Sequence, residues 1–403
     1  GVFEEGVYVI TGGPGTGKTT IVNAIIGAFE KQAKEVILCA PTGRAAKKLS
    51  DATHRNAKTI HRTLGANGEN FTKGPEDLLK CDAVIVDEVS MVDIFLMNNL
   101  LRAIAPGTSL ILVGDKDQLP SVGAGSVLRD ILSSGKIRVI RLTHIFRQSE
   151  KSMISINAGR IINGRMPQNG EDFFVFKGGD ALYERVIDMV TRKIPERFGF
   201  CPMTEIQVLS VKYDGDAGVN ALNAGLKAQL NPHSSSESIK TPGGKEFFPG
   251  DKVMQTANNY DIEWTDSDSQ VGKGIFNGDI GRIAKIDFAA GVVHVDFEDG
   301  RLAVYDRTDL TELTHAYAIT VHKSQGSEYP CIVMPIFPAY TMENRNILYT
   351  AVTRAKRLVV LMGETSVLQR FVDRVNIDDR RSTLSEKLIY LFETLYGGNH
   401  ISE

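Results

Sequence analysis

Near the start of the 403-residue chain, Gly12-Gly13-Pro14-Gly15-Thr16-Gly17-Lys18-Thr19 follows the pattern GxxxxGK[ST], with Thr20 continuing the helix it opens. Glycines at this spacing let backbone N–H groups close on a polyphosphate, Lys18 adds a positive point charge for the β- and γ-oxygens, and Thr19 offers a hydroxyl to Mg²⁺. A second group is Val84-Ile85-Val86-Asp87-Glu88, an apolar run ending in two carboxylates. Such a pair at the end of a buried strand is costly unless a cation or a reacting water uses it. Asp87 then reads as the Mg²⁺-holding acid and Glu88 as the base that orients water. Taken alone, such a pair is more often an ordinary helix N-terminus; following a phosphate loop at this separation, it reads as catalytic. Phosphoryl transfer also needs cations aimed at the charge that develops on the γ-phosphate. Arg147 and Arg354 sit in runs of small or apolar residues; a solvated surface arginine is the competing reading for each.

These groups need rigid carriers. Val7 to Thr11 is β-branched and aromatic, and the glycine loop after it leads into the helix-periodic Ile21, Ile25, Ile26 and Phe29. Short apolar runs recur at Glu35 to Ala40, Ala83 to Asp87 and Ser109 to Val113, then again at Ile206 to Val211, Ile332 to Pro335 and Leu358 to Met362. Runs of this kind separated by helix-length segments are parallel strands buried on both faces, so the fold class is α/β with two such layers. From about Thr241 to Thr311 the texture changes to alternation, as in Val293, Val295 and Phe297, with turns at Asn277-Gly278 and Asp299-Gly300. That pattern predicts a small antiparallel β module. Gly65 to Pro75 contains Asn67-Gly68 and reads as a hairpin or a surface loop.

Composition narrows the setting. The formal net charge of -3 argues against a polybasic role but is compatible with a local nucleic-acid groove. Cys39, Cys81, Cys201 and Cys331 stand singly among apolar neighbours, which reads as small buried hydrophobes in a reducing cytoplasm. No apolar run reaches the length of a membrane span, so no membrane association is expected.

The ordered set of motifs resembles superfamily 1 helicases, closest to the RecD-like, RecD2 type, over nearly the whole chain. Cys39 to Ala46 resembles motif Ia, Thr59-Ile60-His61-Arg62 motif Ib, Asp87 to Met91 motif II, and Gly114-Asp115-Lys116-Asp117-Gln118-Leu119-Pro120 motif III. Arg147 falls in motif IV, Thr320-Val321-His322-Lys323-Ser324-Gln325-Gly326-Ser327-Glu328 in motif V, and Arg354 in motif VI.

The resemblance implies two RecA-like P-loop domains with ATP and Mg²⁺ in the cleft between them. Residues 1–150 would form domain 1A with a 1B hairpin at 65–75. Residues 151–240 and 312–403 would form domain 2A, interrupted by an SH3-like 2B barrel at 241–311. It further implies nucleotide contacts from Gly13, Pro14, Gly15, Thr16, Gly17, Lys18, Thr19, Thr20, Gln118, Arg147, Glu328 and Arg354. Catalysis would fall to Lys18, Asp87, Glu88, Gln118, Arg147 and Arg354, with Thr19 and Asp87 on the metal. Pro41, Thr42, Thr59, His61, Thr320 and His322 would contact single-stranded DNA, and the hairpin would act as a pin at duplex junctions. The expected activity is ATP-driven 5′ to 3′ translocation and unwinding in DNA recombination and repair. Two rivals stand beside it: a motor subunit of a RecBCD-like complex active only with partners, and a non-catalytic nucleic-acid clamp. Two departures from the family pattern are visible. The upstream glutamine stretch that reads adenine is missing: either the chain is excised from a longer protein, whose absent N-terminal region would offer a surface to protein partners, or the contact itself is absent and adenine selectivity with it; the lack of an initiating Met favours excision. Val211-Lys212-Tyr213-Asp214 stands where a Pro-Met-basic run is usual.

Overall fold

The computed structural model describes residues 6–67, 70–143, 152–179, 181–232, 238–375 and 382–396. Two compact units emerge, Gly1–Lys151 with Asn376–Glu403, and Ser152–Val375.

In the first unit the chain runs β1 (Val7–Gly12), α1 (Lys18–Glu30), β2 (Val36–Ala40), α2 (Gly43–Thr53), β3 (Ala57–Thr59), α3 (Ile60–Thr63), β4 (Ala66–Asn67), β5 (Asn70–Phe71), β6 (Ala83–Val86), α4 (Ile94–Ala103), β7 (Ser109–Gly114), α5 (Val127–Ser134) and β8 (Arg138–Leu142). Six strands form one sheet in the order β3-β2-β6-β7-β1-β8, every pair parallel. Alternate residues of the central strands enter different cores, as period-two geometry requires: Val84 and Val86 face one, Ala83 and Ile85 the other. With apolar residues on both faces, these strands read as continuous hydrophobic runs in the sequence. β4 and β5 pair antiparallel as a short hairpin off the sheet.

The second unit runs α6 (Met153–Ile162), β9 (Phe173–Lys177), α7 (Leu182–Asp188), α8 (Ile194–Phe198), β10 (Ile206–Ser210) and α9 (Val219–Leu230). A β module follows: β11 (Ile239–Lys240), β12 (Glu246–Phe247), β13 (Lys252–Gln255), β14 (Asn259–Thr265), β15 (Val271–Ile275), β16 (Ile280–Asp287), β17 (Val292–Phe297), β18 (Leu302–Tyr305) and β19 (Leu313–His315). The chain then returns as β20 (Ala318–Thr320), β21 (Tyr329–Ile336), α10 (Arg345–Val352), β22 (Ala355–Gly363) and α11 (Thr365–Asp373). The parallel sheet has the order β20-β10-β21-β22-β9, and seven strands of the module make an antiparallel sheet in the order β15-β14-β18-β17-β16-β13-β19. Ile262, Ile275, Val293, Val295, Phe297 and Tyr305 fill the module's own core. The joint with the parallel sheet is polar: buried Asp251 accepts from Lys227 Nζ at 2.7 Å, Asn231 Nδ2 at 2.9 Å and Tyr317 Oη at 3.1 Å.

Two expectations need correction. The sequence assigns residues 312–403 to the second domain, but helix α12 (Leu384–Tyr396) belongs with the first unit, where it packs on α5. Leu384 and Leu388, one helical turn apart, press on the core that holds Val127, Leu128 and Ile131, and Lys136 pairs with Glu393 at 3.5 Å. The cysteines are not uniformly buried either. Cys39 and Cys331 are, but Cys201 lies exposed in the connection between α8 and β10. No helix among the described residues is long and apolar enough to cross a membrane.

Candidate functional site

The C-terminal edge of the first sheet carries the phosphate-binding signature. Gly12 ends β1 where any Cβ would lie 2.6 Å from Thr16 Oγ1 and 2.8 Å from the Leu142 carbonyl, so only glycine fits. Gly15 and Gly17 take positive φ, 73° and 84°, which turns the chain into α1. Thr16 Oγ1 donates to the Gly13 carbonyl at 2.8 Å and closes the loop. The Lys18 ammonium donates to the carbonyls of Gly12 and Gly13 at 2.7 and 2.9 Å. Pro14 shapes the loop crest, while Thr19 and Thr20 stand exposed on the first turn of α1.

Asp87 and Glu88 follow β6, two strands from β1. The Asp87 N–H donates to the Cys39 carbonyl, and its carboxylate accepts the Glu88 N–H at 2.9 Å. Burial and the adjacent Glu88 charge push the Asp87 carboxyl up to about 6, against the pull of Lys18 and Lys48. Glu88 is held at φ 51°, a rare conformation for a non-glycine residue that turns the chain abruptly into a 3₁₀ turn at Val89–Met91. On the intervening strand β7, Gln118 lies in the following loop, buried, with its amide nitrogen 3.4 Å from Asp115 Oδ2 and its Oε1 without a partner. Asp115 is almost fully buried and also accepts the Asp117 N–H at 3.0 Å. Its Oδ2 thereby holds the Gln118 amide nitrogen, and nothing in the motif singles Asp115 out for that.

The other half of the same edge gathers Pro41, Thr42, Thr59 and His61 after β2 and β3. Thr42 Oγ1 caps α2 by accepting the Ala45 N–H at 3.2 Å, and Thr59 Oγ1 caps α3 by accepting the Arg62 N–H at 3.0 Å. The half-buried His61 ring lies 5.9 Å from Phe71 of the hairpin. Its Nδ1 has no partner, and burial lowers its pKa although Asp93 opposes the shift.

Within the second unit, Thr320 repeats the capping pattern at the end of β20: its Oγ1 accepts the Lys323 N–H at 3.2 Å. His322 opens the 3₁₀ turn that follows. Lys323, a motif V residue between His322 and Ser324, donates to Asn277 Oδ1 at 2.7 Å and so ties this turn to the β module. No spacing rule links residues 277 and 323. Glu328 and Arg354 lie at the opposite, N-terminal edge, just before β21 and β22. Glu328 pairs with Lys356 at 3.3 Å. The Arg354 guanidinium is buried and donates to the carbonyls of Thr350 and Ser327 and to Thr353 Oγ1, all at 3.2 to 3.3 Å. Those partners are neutral, and no carboxylate pairs with it among the described residues. Arg147 lies outside the described residues.

Residues 1–124 match the AAA domain family, residues 222–297 the ATP-dependent RecD-like DNA helicase SH3 domain, and residues 315–362 the UvrD-like helicase C-terminal domain. The ATP-dependent RecD2 DNA helicase of Deinococcus radiodurans is 35% identical over 387 residues, covering 95% of this chain and 50% of that protein. The chain therefore spans half the length of that relative. The RecBCD enzyme subunit RecD of Mycobacterium tuberculosis is 31% identical over 417 residues, covering 92% of this chain and 69% of its own. Among solved structures, the Pif1 helicase from Bacteroides in complex with ADP-AlF3 and ssDNA shares the fold, with TM-score 0.57 and 19% identity over 98% of this chain and 94% of that one. With motifs Ia to VI in order, a glycine loop closed on its own lysine and an SH3-like module between the strands of the second sheet, the chain belongs to the RecD-like family of superfamily 1 helicases.

Proposed function

We propose that this chain is the motor of an ATP-dependent DNA helicase that moves 5′ to 3′ on single-stranded DNA. The observation that carries the reading is the convergence of Lys18, Asp87 and the unpartnered Gln118 Oε1 on one sheet edge, beside a loop that admits no side chain at Gly12. A half-buried carboxylate pair and an orphaned buried amide oxygen fit a metal-bound triphosphate and its attacking water. Thr19 and Asp87 would hold Mg²⁺, which when bound neutralises charge on the β- and γ-oxygens. Gly13, Pro14, Gly15, Thr16, Gly17 and Thr20 frame the phosphates, with Lys18 leaving its carbonyls for the γ-phosphate. Glu88 accepts a proton from water oriented by Gln118. A buried arginine without a carboxylate is costly until an anion arrives, so Arg354, with Arg147, is assigned to the developing charge, and Glu328 to the nucleotide.

The DNA grip is assigned to Pro41, Thr42, Thr59, His61, Thr320 and His322. A capping hydroxyl uses a lone pair and keeps its proton, so Thr42, Thr59 and Thr320 can each donate to a phosphate without surrendering the cap. Contacts of this kind are sequence-independent.

The test is ATP turnover with and without single-stranded DNA. DNA stimulation that is lost in Lys18→Ala is expected, together with unwinding of a duplex bearing a 5′ overhang and not one bearing a 3′ overhang. Turnover that ignores DNA refutes the motor, and the reverse overhang preference refutes the polarity. The similarity to RecBCD subunit RecD supports a second reading, a motor subunit that works only with protein partners; turnover by the isolated chain excludes it.

A further inference from the structure

The loop after β21 spends energy to display an aromatic ring. Tyr340 sits at φ 48°, where a bulky side chain is a genuine outlier, and yet the residue is 78% exposed, so no packing of its own ring compensates the strain. The surroundings hold it there. Buried Glu343 accepts the N–H groups of Ala339 and Tyr340 at 2.9 and 3.2 Å, and Arg370 and Arg374 fix that carboxylate at 2.8 and 3.1 Å. Arg374 also donates to the Tyr340 carbonyl at 2.8 Å. A strained conformation that its neighbours over-determine is a mark of function.

The position of the loop indicates what the ring meets. β20, β10 and β21 are parallel neighbours, so the segments after them share one edge: Thr320 and His322, Lys212 and Tyr213, and Phe337 to Met342. Lys212 joins two of these segments, with Nζ 3.3 Å from the Pro338 carbonyl and 5.0 Å from the Phe337 ring centre. Tyr213 is 52% exposed beside it. Exposed aromatic rings interleaved with cations, on an edge already carrying hydroxyl donors, match a strand with anionic phosphates and unpaired π-faces.

We infer that Tyr340, presented by the Glu343–Arg370–Arg374 clamp, stacks on an unpaired base of the bound strand. The inference rests on the single-stranded DNA reading above and adds base contact to a grip that otherwise addresses phosphates. Stacking on a ring is tolerant of base identity, so it serves translocation without sequence preference.

The experiment uses the full chain, fluorescence anisotropy with an oligothymidylate, and an abasic strand of equal length as the second probe. Y340A is expected to weaken oligothymidylate binding on the order of tenfold and to leave the abasic strand nearly unaffected, whereas Y340F retains wild-type affinity for both. Y340G removes the ring and also relieves the positive φ, so its thermal midpoint should equal or exceed that of the wild type while its affinity falls like that of Y340A. Equal binding of oligothymidylate by Y340A and wild type overturns the inference, as does an equal loss on the abasic strand. Failure of the wild type to bind oligothymidylate overturns the DNA reading of the preceding subsection instead.

Discussion

Asp87, the carboxylate proposed to hold Mg²⁺, burdens the fold that holds it. Its folded pKa of about 6 lies above its ordinary value of 3.8, so in the folded state the neutral form is favoured. Below about pH 3 both states are protonated and the residue costs nothing. As pH rises the unfolded chain ionises first, and the penalty accumulates up to about pH 6, then stays constant, at on the order of 1 to 3 kcal/mol. Asp87→Asn is therefore expected to raise the thermal midpoint at pH 7.5, to leave it unchanged near about pH 3, and to abolish Mg²⁺-dependent turnover. Mg²⁺ itself should stabilise the wild type at pH 7.5 and not the variant, because binding to the folded state adds to its stability. A variant less stable than wild type at pH 7.5 would show that Asp87 is already compensated within the protein. The same logic covers Lys18, whose removal frees the Gly12 and Gly13 carbonyls: Lys18→Ala should lower turnover by at least about a hundredfold.

The three threonine caps belong to the scale of the element. A threonine that only caps can be replaced by aspartate, which caps as well. A threonine that also donates to a phosphate cannot, since the carboxylate repels it. Thr42→Asp is accordingly expected to keep the thermal midpoint and to lose DNA affinity several-fold, whereas Thr42→Ala should lose about 1 kcal/mol of stability as well. Retained affinity in Thr42→Asp would reduce Thr42 to a cap. The 1B hairpin invites a similar test: removing Asn67 to Thr72 deletes Phe71 and with it the contact to the His61 ring, and unchanged unwinding would make the hairpin a surface loop. Elements of this sort were legible in unequal measure. The phosphate loop, β6 with its carboxylates, and the barrel's alternating strands announce themselves, because burial on both or on one face leaves a pattern in consecutive residues. The edge strands β8 and β9 do not, since Arg138, Ile140 and Arg141 are exposed and one-sided burial is too brief to register. The sequence misplaces α12 for a related reason. Its apolar stripe shows that the helix must be covered but carries no address, and only the tertiary contact with α5 supplies one. The Lys323 to Asn277 tie is likewise a tertiary fact, invisible to spacing, whereas the Asp115 to Gln118 contact is local and needs only the turn after β7 to form.

At the scale of the molecule, a net charge of -3 means that little general attraction draws DNA to the surface. Affinity then depends on a few local contacts, and its logarithm should fall with the logarithm of salt at a slope equivalent to only a few released counterions. A slope typical of a polybasic protein would contradict a grip built from hydroxyls, backbone donors and stacked rings. The placement of the barrel has a further consequence, one of timing. β10 pairs with β20 across roughly 110 residues, Val208 with Ala318, because the whole β module is threaded between them. At a synthesis rate of about 5 to 20 residues per second, the nascent β10 waits on the order of 5 to 20 seconds before either of its sheet neighbours leaves the ribosome. During that interval a strand that is buried along its whole length in the finished sheet stands with two open edges, at its most exposed to wrong partners. The barrel, with a core of its own, can close while β10 waits, so the module that interrupts the second sheet sets the earliest moment at which that sheet can exist.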